Sequence, residues 1–280
     1  MQRKRCPALI ATTVNLVLWG LGLASIIPLP SVQVFLPLVE REREIQLPGQ
    51  SFVVILLVGI IWTTSEQMAR LLLSAEKAPP SLARTMPLWG LPSLFTIAGA
   101  TLANTQSWWG HRLFLIGATG IGLGGILTLQ QRSLLGKTSP WGQLTLHSLT
   151  YASALVLFTA LQSQRGLGVL PHLATLVAGT GLALELFREP PAESEHLWRY
   201  AGTIGLLLGE LAWALNYLEL DPRIRGGFLL LAFYILAGIT SQSLQRSLNR
   251  RTVIEFAGIL LLGLLLLLFV ALGGGANSPL

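Results

Sequence analysis

Nine apolar stretches of about 20 residues alternate with short polar segments along the chain. A helix that crosses a hydrocarbon core of about 30 Å needs roughly 20 apolar residues, because lipid offers its backbone groups no hydrogen-bond partner. The pattern therefore predicts an all-α protein, a polytopic bundle of nine transmembrane helices. The predicted spans are 8–27, 51–73, 86–104, 108–130, 142–162, 167–187, 198–218, 226–244 and 253–272.

The composition excludes a water-soluble globular protein. Of the 280 residues, 52% are hydrophobic and 11% are charged, and the mean hydropathy is +0.62. Soluble domains carry about 25% charged residues. The single cysteine, Cys6, excludes an internal disulfide and a metal cluster held by thiolates alone.

The basic residues predict the orientation of the chain. The net charge is +6, but Lys and Arg lie beside the spans rather than in one tract, which argues against a nucleic-acid partner. With nine crossings, thirteen of the 19 Lys and Arg fall on the side of the N-terminus. Since cytoplasmic loops carry the excess of basic residues, we expect the N-terminus inside and the C-terminus outside.

The connecting segments are too short for a soluble domain, so we expect one integral membrane domain over residues 1–280. The cytoplasmic loops are 74–85, 131–141, 188–197 and 245–252, and the outer-face loop is 28–50. Alternation at 31–35 and 43–47 leaves two interpretations of the outer loop, a small surface hairpin or an irregular segment. The first apolar run is longer than the core of a typical signal peptide, so we expect a retained anchor helix.

Glycines within the spans indicate close helix packing. Residues 120–125 match the G-x-G-x-x-G dinucleotide fingerprint, but they lie inside a span, with no strand before them and no helix starting there. Gly120 and Gly124 are four residues apart, as are Gly205 and Gly209. This spacing puts each pair on one helix face, where two backbones can approach closely.

Four acidic residues lie within or at the edges of the spans, where burying a charge costs about 2.5 to 3.5 kcal/mol on insertion scales. Glu185 and Glu255 are near basic residues at span ends, which favours structural ion pairs. Glu66 has Arg70 one helical turn away as an i,i+4 partner. Glu210 is the exception, because it lies near mid-membrane with no basic residue within a turn on its own helix.

A lone carboxyl at that depth is protonated, hydrogen-bonded to a neighbouring helix, or facing a watery cavity. We favour a clasp between helices over a proton relay for Glu210, and leave both open. Trp213 and Asn216 follow three and six residues later, close to its face. Asn15 is a further buried amide level with Glu66, and a pairing of the two is a hypothesis.

Histidine could ligate haem or chlorophyll, but no cofactor is expected on balance. His111 and His172 are the natural pair because both fall near the outer ends of their spans, whereas His147 lies near the inner end of its span. The Trp108-Trp109 pair beside His111 is typical of an interfacial aromatic belt, which favours a structural role. The sequence contains no G-x-S-x-G, H-E-x-x-H or intramembrane aspartate pair, so no catalytic or metal-ligating residue is assigned.

Four segments together resemble an uncharacterised family of bacterial multi-pass membrane proteins. They are Trp62-Thr-Thr-Ser-Glu66, Gly209-Glu-Leu-Ala-Trp-Ala-Leu-Asn-Tyr217, Phe233-Tyr234 and Arg250-Arg-Thr-Val-Ile-Glu-Phe256. The resemblance covers the second to ninth spans. It implies a bacterial plasma-membrane setting and carries no activity.

The leading interpretation is a non-enzymatic integral membrane subunit or scaffold that packs against partner helices, lipids or pigments in a larger membrane complex. The alternative is a small-solute or proton-coupled transporter that uses Glu210, Glu66 and Asn15. A third class, an intramembrane enzyme acting on lipid, lacks a recognisable nucleophile or metal set. The expected partners are membrane lipids and other membrane protein subunits, and the expected location is the plasma membrane.

Overall fold

A computed structural model describes residues 5–27, 29–34, 45–47, 49–73, 82–135, 137, 139–164, 169–187, 194–218, 220–244 and 250–274. Within these residues the chain forms nine α-helices, which confirms the predicted all-α architecture. The helices are α1 (Arg5–Ile26), α2 (Gly49–Leu73), α3 (Leu82–Asn104), α4 (Trp109–Leu134), α5 (Pro140–Ser163), α6 (Leu170–Leu186), α7 (Ser194–Asn216), α8 (Pro222–Leu244) and α9 (Arg250–Gly274).

Two short strands accompany the helices. β1 (Val32–Val34) pairs antiparallel with β2 (Ile45–Leu47), with Gln33 opposite Gln46. This confirms the hairpin interpretation of the outer loop. A Cβ on Gly49, the first residue of α2, would lie 2.4 Å from the Cβ of Leu29, so only glycine lets the chain pass this close to the segment before the hairpin.

Local chemistry explains where several helices begin. Pro140 and Pro222 occupy the first positions of α5 and α8, where the missing N–H has no helical partner to lose. Asp221 caps α8, because its Oδ1 accepts a hydrogen bond from the backbone N–H of Arg223 at 2.8 Å. α8 therefore starts four residues before the predicted span at 226–244, which places Arg225 inside the helix instead of in a loop.

Five of the described helices, α1, α2, α4, α5 and α8, are long and apolar enough to cross a membrane. α6 and the Ile254–Leu267 part of α9 are apolar but shorter. The chain is thus a helical membrane protein. Crossing by the other four helices, and the orientation of the termini, stay predictions.

The chain divides into two compact units, Met1–Leu149 and Thr150–Leu280. In the first, α1 packs on α2 and α4, and α3 packs on both α2 and α4. Its core includes Val17 from α1, Ile61 from α2 and Leu123 from α4, all fully buried. A hydrogen bond of 2.8 Å between the buried hydroxyls of Thr13 and Thr64 joins α1 to α2.

In the second unit, the most extensive packing is between α6 and α7, and α8 contacts both of these helices and α9. α6 and α7 approach at Gly205, where an added Cβ would lie 2.1 Å from the Oγ1 of Thr180 and 2.5 Å from the carbonyl oxygen of Leu176. The absence of a side chain at Gly205 is therefore what allows the two backbones to come together.

Glycine also sets the register of α8 against α9. A Cβ at Gly227 would meet Leu267, one at Gly263 would meet Leu231, and one at Gly238 would meet Phe256. From one contact to the next, the residue number rises along α8 by as much as it falls along α9, as expected for two antiparallel helices. Each helix thus receives large side chains of the other at its glycines.

Gly205→Ala is expected to destabilise the protein by about 1 to 3 kcal/mol, because its methyl group must displace backbone of α6. Gly202→Ala is the matched control on the same helix, since nothing lies within 4 Å of its Cβ position. Alanine is about 1 kcal/mol better than glycine in a helix interior, so this control should be neutral or stabilised. Unfolding of both variants in detergent, followed by circular dichroism, measures the difference. Equal effects would contradict the close approach at Gly205.

Candidate functional site

The side chain of Arg225 is fully buried at the start of α8. Its Nη2 donates to the backbone carbonyl of Gln162 at 2.8 Å, and its Nη1 donates to Gln162 Oε1 and Asn216 Oδ1, both at 3.3 Å. The Gln162 amide in turn donates to the carbonyl of Ala212 on α7 at 3.5 Å. We call Arg225, Gln162 and Asn216 the arginine cluster. It joins the ends of α5 and α7 to the beginning of α8.

A glycine next to Arg225 brings α8 close enough to α5 for these bonds. A Cβ at Gly226 would lie 2.8 Å from both the backbone nitrogen and the Cα of Thr159. The two backbones are thus in contact one turn from Gln162, which is itself buried. A charge removed from water needs hydrogen-bonding partners, and the cluster supplies oxygen acceptors to the guanidinium.

Analysis of the sequence missed this cluster because Arg225 was counted among the loop residues that orient the chain. The available signal was Asp221-Pro222, a capped helix start that places Arg225 in the first turn of α8. No motif points to Gln162. Its partnership with Arg225 depends on how α5 and α8 cross.

Glu210 lies on a different face of α7 from Asn216. Asn216 is half-buried and faces the arginine cluster, whereas Glu210 and Trp213 are exposed. Six residues at about 100° each turn the helix by about 240°, which separates the two faces. The sequence placed Asn216 close to the face of Glu210, but the structure brings only Trp213 near it.

The exposed surface around Glu210 is mostly apolar. Leu206 and Trp213, one turn before and after it, are 49% and 58% exposed, and Tyr217 at the end of the helix is 77% exposed. We call Leu206, Glu210, Trp213 and Tyr217 the Glu210 face. Behind it, Leu208 and Ala212 are fully buried against the rest of the unit. Among the described residues, the exposed carboxyl of Glu210 therefore lies between large, mostly apolar side chains on the surface of α7.

Glu66 has the partner that its spacing predicts. Its Oε1 accepts a hydrogen bond from Arg70 Nη2 at 2.5 Å, and both side chains are substantially exposed. Asn15 is exposed on α1, and the hydrogen bond between α1 and α2 is made by Thr13 and Thr64. Glu66 thus pairs with Arg70, and the hypothesis that Asn15 pairs with Glu66 is not supported.

The four glycines of the predicted packing faces all lie against a neighbouring helix. The Cβ positions of Gly120 and Gly124 are beside Leu18 and Val14 of α1. Those of Gly205 and Gly209 are beside Leu176 of α6. Gly205 makes the tightest of these approaches, since its Cβ would lie 2.1 Å from Thr180 Oγ1 and 2.5 Å from the backbone oxygen of Leu176.

His111, His147 and His172 lie on three different helices, α4, α5 and α6. His111 and His147 are exposed in the first unit, and the ring of His111 contacts Trp108 with 4.5 Å between centroids. His172 is half-buried at the start of α6 in the second unit. Among the described residues, no group of three or more His, Cys, Asp or Glu could hold a metal ion.

The other two acidic residues of the predicted spans, Glu185 and Glu255, lie near helix ends. Glu185 is buried near the end of α6, and Arg188, its predicted partner, lies outside the described residues. Glu255 is exposed on the first turns of α9.

A family model matches residues 40–270, which is most of the chain. The chain belongs to the DUF5656 family, described as proteins of unknown function. No curated protein and no solved structure matches it significantly. The resemblance to an uncharacterised family over the second to ninth spans is thereby confirmed. The DUF5656 match includes the arginine cluster and the Glu210 face and excludes Thr13 and Asn15.

Arg225→Met is expected to destabilise this DUF5656 protein by about 1 to 3 kcal/mol, since it leaves buried oxygen atoms of the cluster without their donor. Arg223→Met is the control, because Arg223 is exposed two residues earlier on the same helix and surface changes usually stay within about 0.5 kcal/mol. Denaturant unfolding in detergent measures both. A loss of stability no greater than that of Arg223→Met would contradict the structural role of the cluster.

A double-mutant cycle on Thr13→Val and Thr64→Val should give a favourable coupling of about 0.6 kcal/mol, as measured for hydrogen bonds between membrane helices. Thr12→Val and Thr63→Val form the control cycle, because both residues are exposed and bond only to carbonyls of their own helices. Unfolding free energies of the unmodified protein and the six variants supply both couplings. Equal couplings would mean that the bond between Thr13 and Thr64 is not formed.

Proposed function

We propose that this protein is a non-enzymatic integral membrane subunit whose Glu210 face packs against a helix of another membrane protein. The observation that carries the proposal is the exposed carboxyl of Glu210 among large apolar side chains. Lipid tails can neither hydrogen-bond to this group nor solvate it. A surface that contains it is therefore better matched by protein than by lipid.

The position of α7 supports this interpretation. α7 packs along α6 and contacts α8, which is long and apolar enough to cross a membrane. Glu210 lies six residues before the end of α7 at Asn216, a distance of about 9 Å along the axis. Tyr217 at that end is suited to the membrane interface. Glu210 is then on the hydrocarbon side of it.

α9 provides a surface for comparison, which we infer to face lipid. Leu261, Leu262, Leu265 and Phe269 are 58% to 78% exposed, and the sequence has no charged residue after Glu255. Lipid hydrocarbon can cover such a surface without leaving any polar side chain in need of a hydrogen-bond partner. The contrast with the single carboxyl on α7 indicates that the two exposed surfaces have different neighbours, lipid at α9 and protein at α7.

The partner must supply a hydrogen-bond donor at the depth of Glu210. An amide, hydroxyl or basic side chain on a membrane helix fits that requirement, and Trp213 and Leu206 provide apolar contact on either side. In this arrangement Glu210 is a clasp between chains. The proposed location is the bacterial plasma membrane, as the family resemblance implies.

Transport through Glu210 and Glu66 is the weaker alternative. The two residues lie in different units, and neither lines the cavity beside α8 and α9 or the small cavity around Leu21, Gln50 and Asn104. Glu66 is already paired with Arg70.

Photocrosslinking in native cell membranes tests the proposal. With p-benzoylphenylalanine at position 213, we expect a discrete adduct to a membrane protein, and with the probe at position 261 we expect lipid adducts only. Glu210→Leu should abolish the protein adduct because the clasp is lost. Glu66→Gln, which removes an exposed ion pair worth at most about 1 kcal/mol, should leave it unchanged.

Lipid adducts alone at position 213 would refute the proposed function. An adduct of twice the mass of the chain would identify the partner as a second copy. Proton-coupled uptake that Glu210→Gln abolishes, with no protein adduct at position 213, would favour the transporter instead.

A further inference from the structure

The second unit contains an apolar groove between α8 and α9, closed on one side by Tyr151 of α5. Its volume is about 410 Å³, and Gly227, Leu231 and Tyr234 line it from α8, while Ile259 and Leu266 line it from α9. These positions recur at three- and four-residue spacing, so the groove runs along both helices. It is distinct from the Glu210 face, and it does not depend on the proposed function.

Glycines bring α8 and α9 together along the groove. α8 and α9 meet where Leu267 lies over Gly227 and Leu231 lies over Gly263. Both glycines also line the groove, and neither contributes a side chain to fill it. At the Tyr234 end, the ring of Tyr234 contacts those of Tyr151 and Phe256, with 5.5 and 5.9 Å between centroids. The groove is therefore bounded by aromatic rings at that end.

The groove is too narrow to enclose a whole helix. From Gly227 to Tyr234 is seven residues, or about 10.5 Å along α8. A volume of about 410 Å³ over that length gives a mean cross-section on the order of 40 Å². An α-helix with side chains is about 10 to 12 Å wide, which requires on the order of 80 to 110 Å². A narrower, elongated group fits.

The wall of the groove decides the chemistry of that group. It consists almost entirely of aliphatic and aromatic carbon. A polar or charged ligand would therefore lose its hydrogen bonds to water there and form none in return. The groove is open on one side, and its neighbours on α9, such as Leu262 and Leu265, are exposed in the manner of a lipid-facing surface. The hydrocarbon chains of the bilayer therefore have direct access to it.

We propose that this groove is a lipid-binding site that holds an acyl chain of a membrane phospholipid. The acyl chain lies along α8 and α9, with its terminal part toward the rings of Tyr151 and Tyr234. A bound chain completes the packing of α9, whose main described contacts are otherwise with α8. The site would retain its lipid when the surrounding lipids have been exchanged for detergent.

The test uses the full chain purified in detergent and a phosphatidylcholine that carries a photoactivatable diazirine within one acyl chain. At one to a few lipids per protein, we expect crosslinks concentrated on the groove-lining residues of α8 and α9, and their suppression by excess unlabelled phosphatidylcholine. Peptide mapping by mass spectrometry locates the adducts.

Leu266→Trp fills the groove and should remove most of this labelling. Leu261→Trp is the matched control, because both leucines are on α9 and both are 62% exposed, but Leu261 does not line the groove. It should leave the labelling unchanged. Ile259→Phe provides a second way to narrow the groove, and circular dichroism with size-exclusion chromatography verifies that each variant is folded.

Several results would overturn the proposal. These are labelling spread evenly over both faces of α9, labelling that excess lipid does not reduce, or equal labelling of the Leu266→Trp, Ile259→Phe and Leu261→Trp proteins. Retention of an isoprenoid chain from the native membrane in place of phospholipid would also overturn it. A failed test here leaves the proposed function of the Glu210 face untouched, because the two rest on different helices and different readouts.

Discussion

The hydrocarbon around this chain cannot form hydrogen bonds, and this constraint accounts for most of the structure. Backbone groups are satisfied within helices, and the hydroxyls of Thr119, Thr128 and Thr240 donate to carbonyls four residues earlier in their own helices. The same bond follows two of the prolines, from Thr96 to Pro92 and from Thr175 to Pro171, both at 2.8 Å. These threonines are thus tolerated inside the helices because their own helices supply the hydrogen-bond acceptors.

Two charged residues in the second unit show the two outcomes of this constraint. Arg225 is buried, and residues of α5 and α7 in the same chain accept hydrogen bonds from its guanidinium group. Glu210 is exposed on α7, and the described part of the chain supplies no comparable set of hydrogen-bond partners to it. Arg225 has hydrogen-bond acceptors within the chain, whereas the surface around Glu210 supports a contact with another molecule. This asymmetry, more than any motif, supports the proposal that the protein is a subunit of a larger complex.

The sequence predicted the helices well because the thickness of a membrane fixes their length. It misplaced the start of α8, since a hydropathy pattern treats Arg225 as a loop residue and does not weigh the cap at Asp221 or acceptors on other helices. It could not choose the neighbours of α1, because apolar residues occur all around that helix and no periodicity distinguishes Asn15 from Thr13. Glycine spacing was informative, since it depends on backbone approach and not on polarity. The groove beside α9 had no sequence signal, because it arises from the register of two helices.

The limited attachment of α9 has a consequence for how the protein comes apart. α6 and α7 share a long contact in which glycine brings their backbones together, whereas α9 rests on α8 and exposes most of its leucines. Elements with few buried contacts open at lower free energy than the core of a domain. Amide hydrogens of α9 should consequently exchange with solvent through local detachment of that helix, well before those of α6 and α7, which require the whole unit to open.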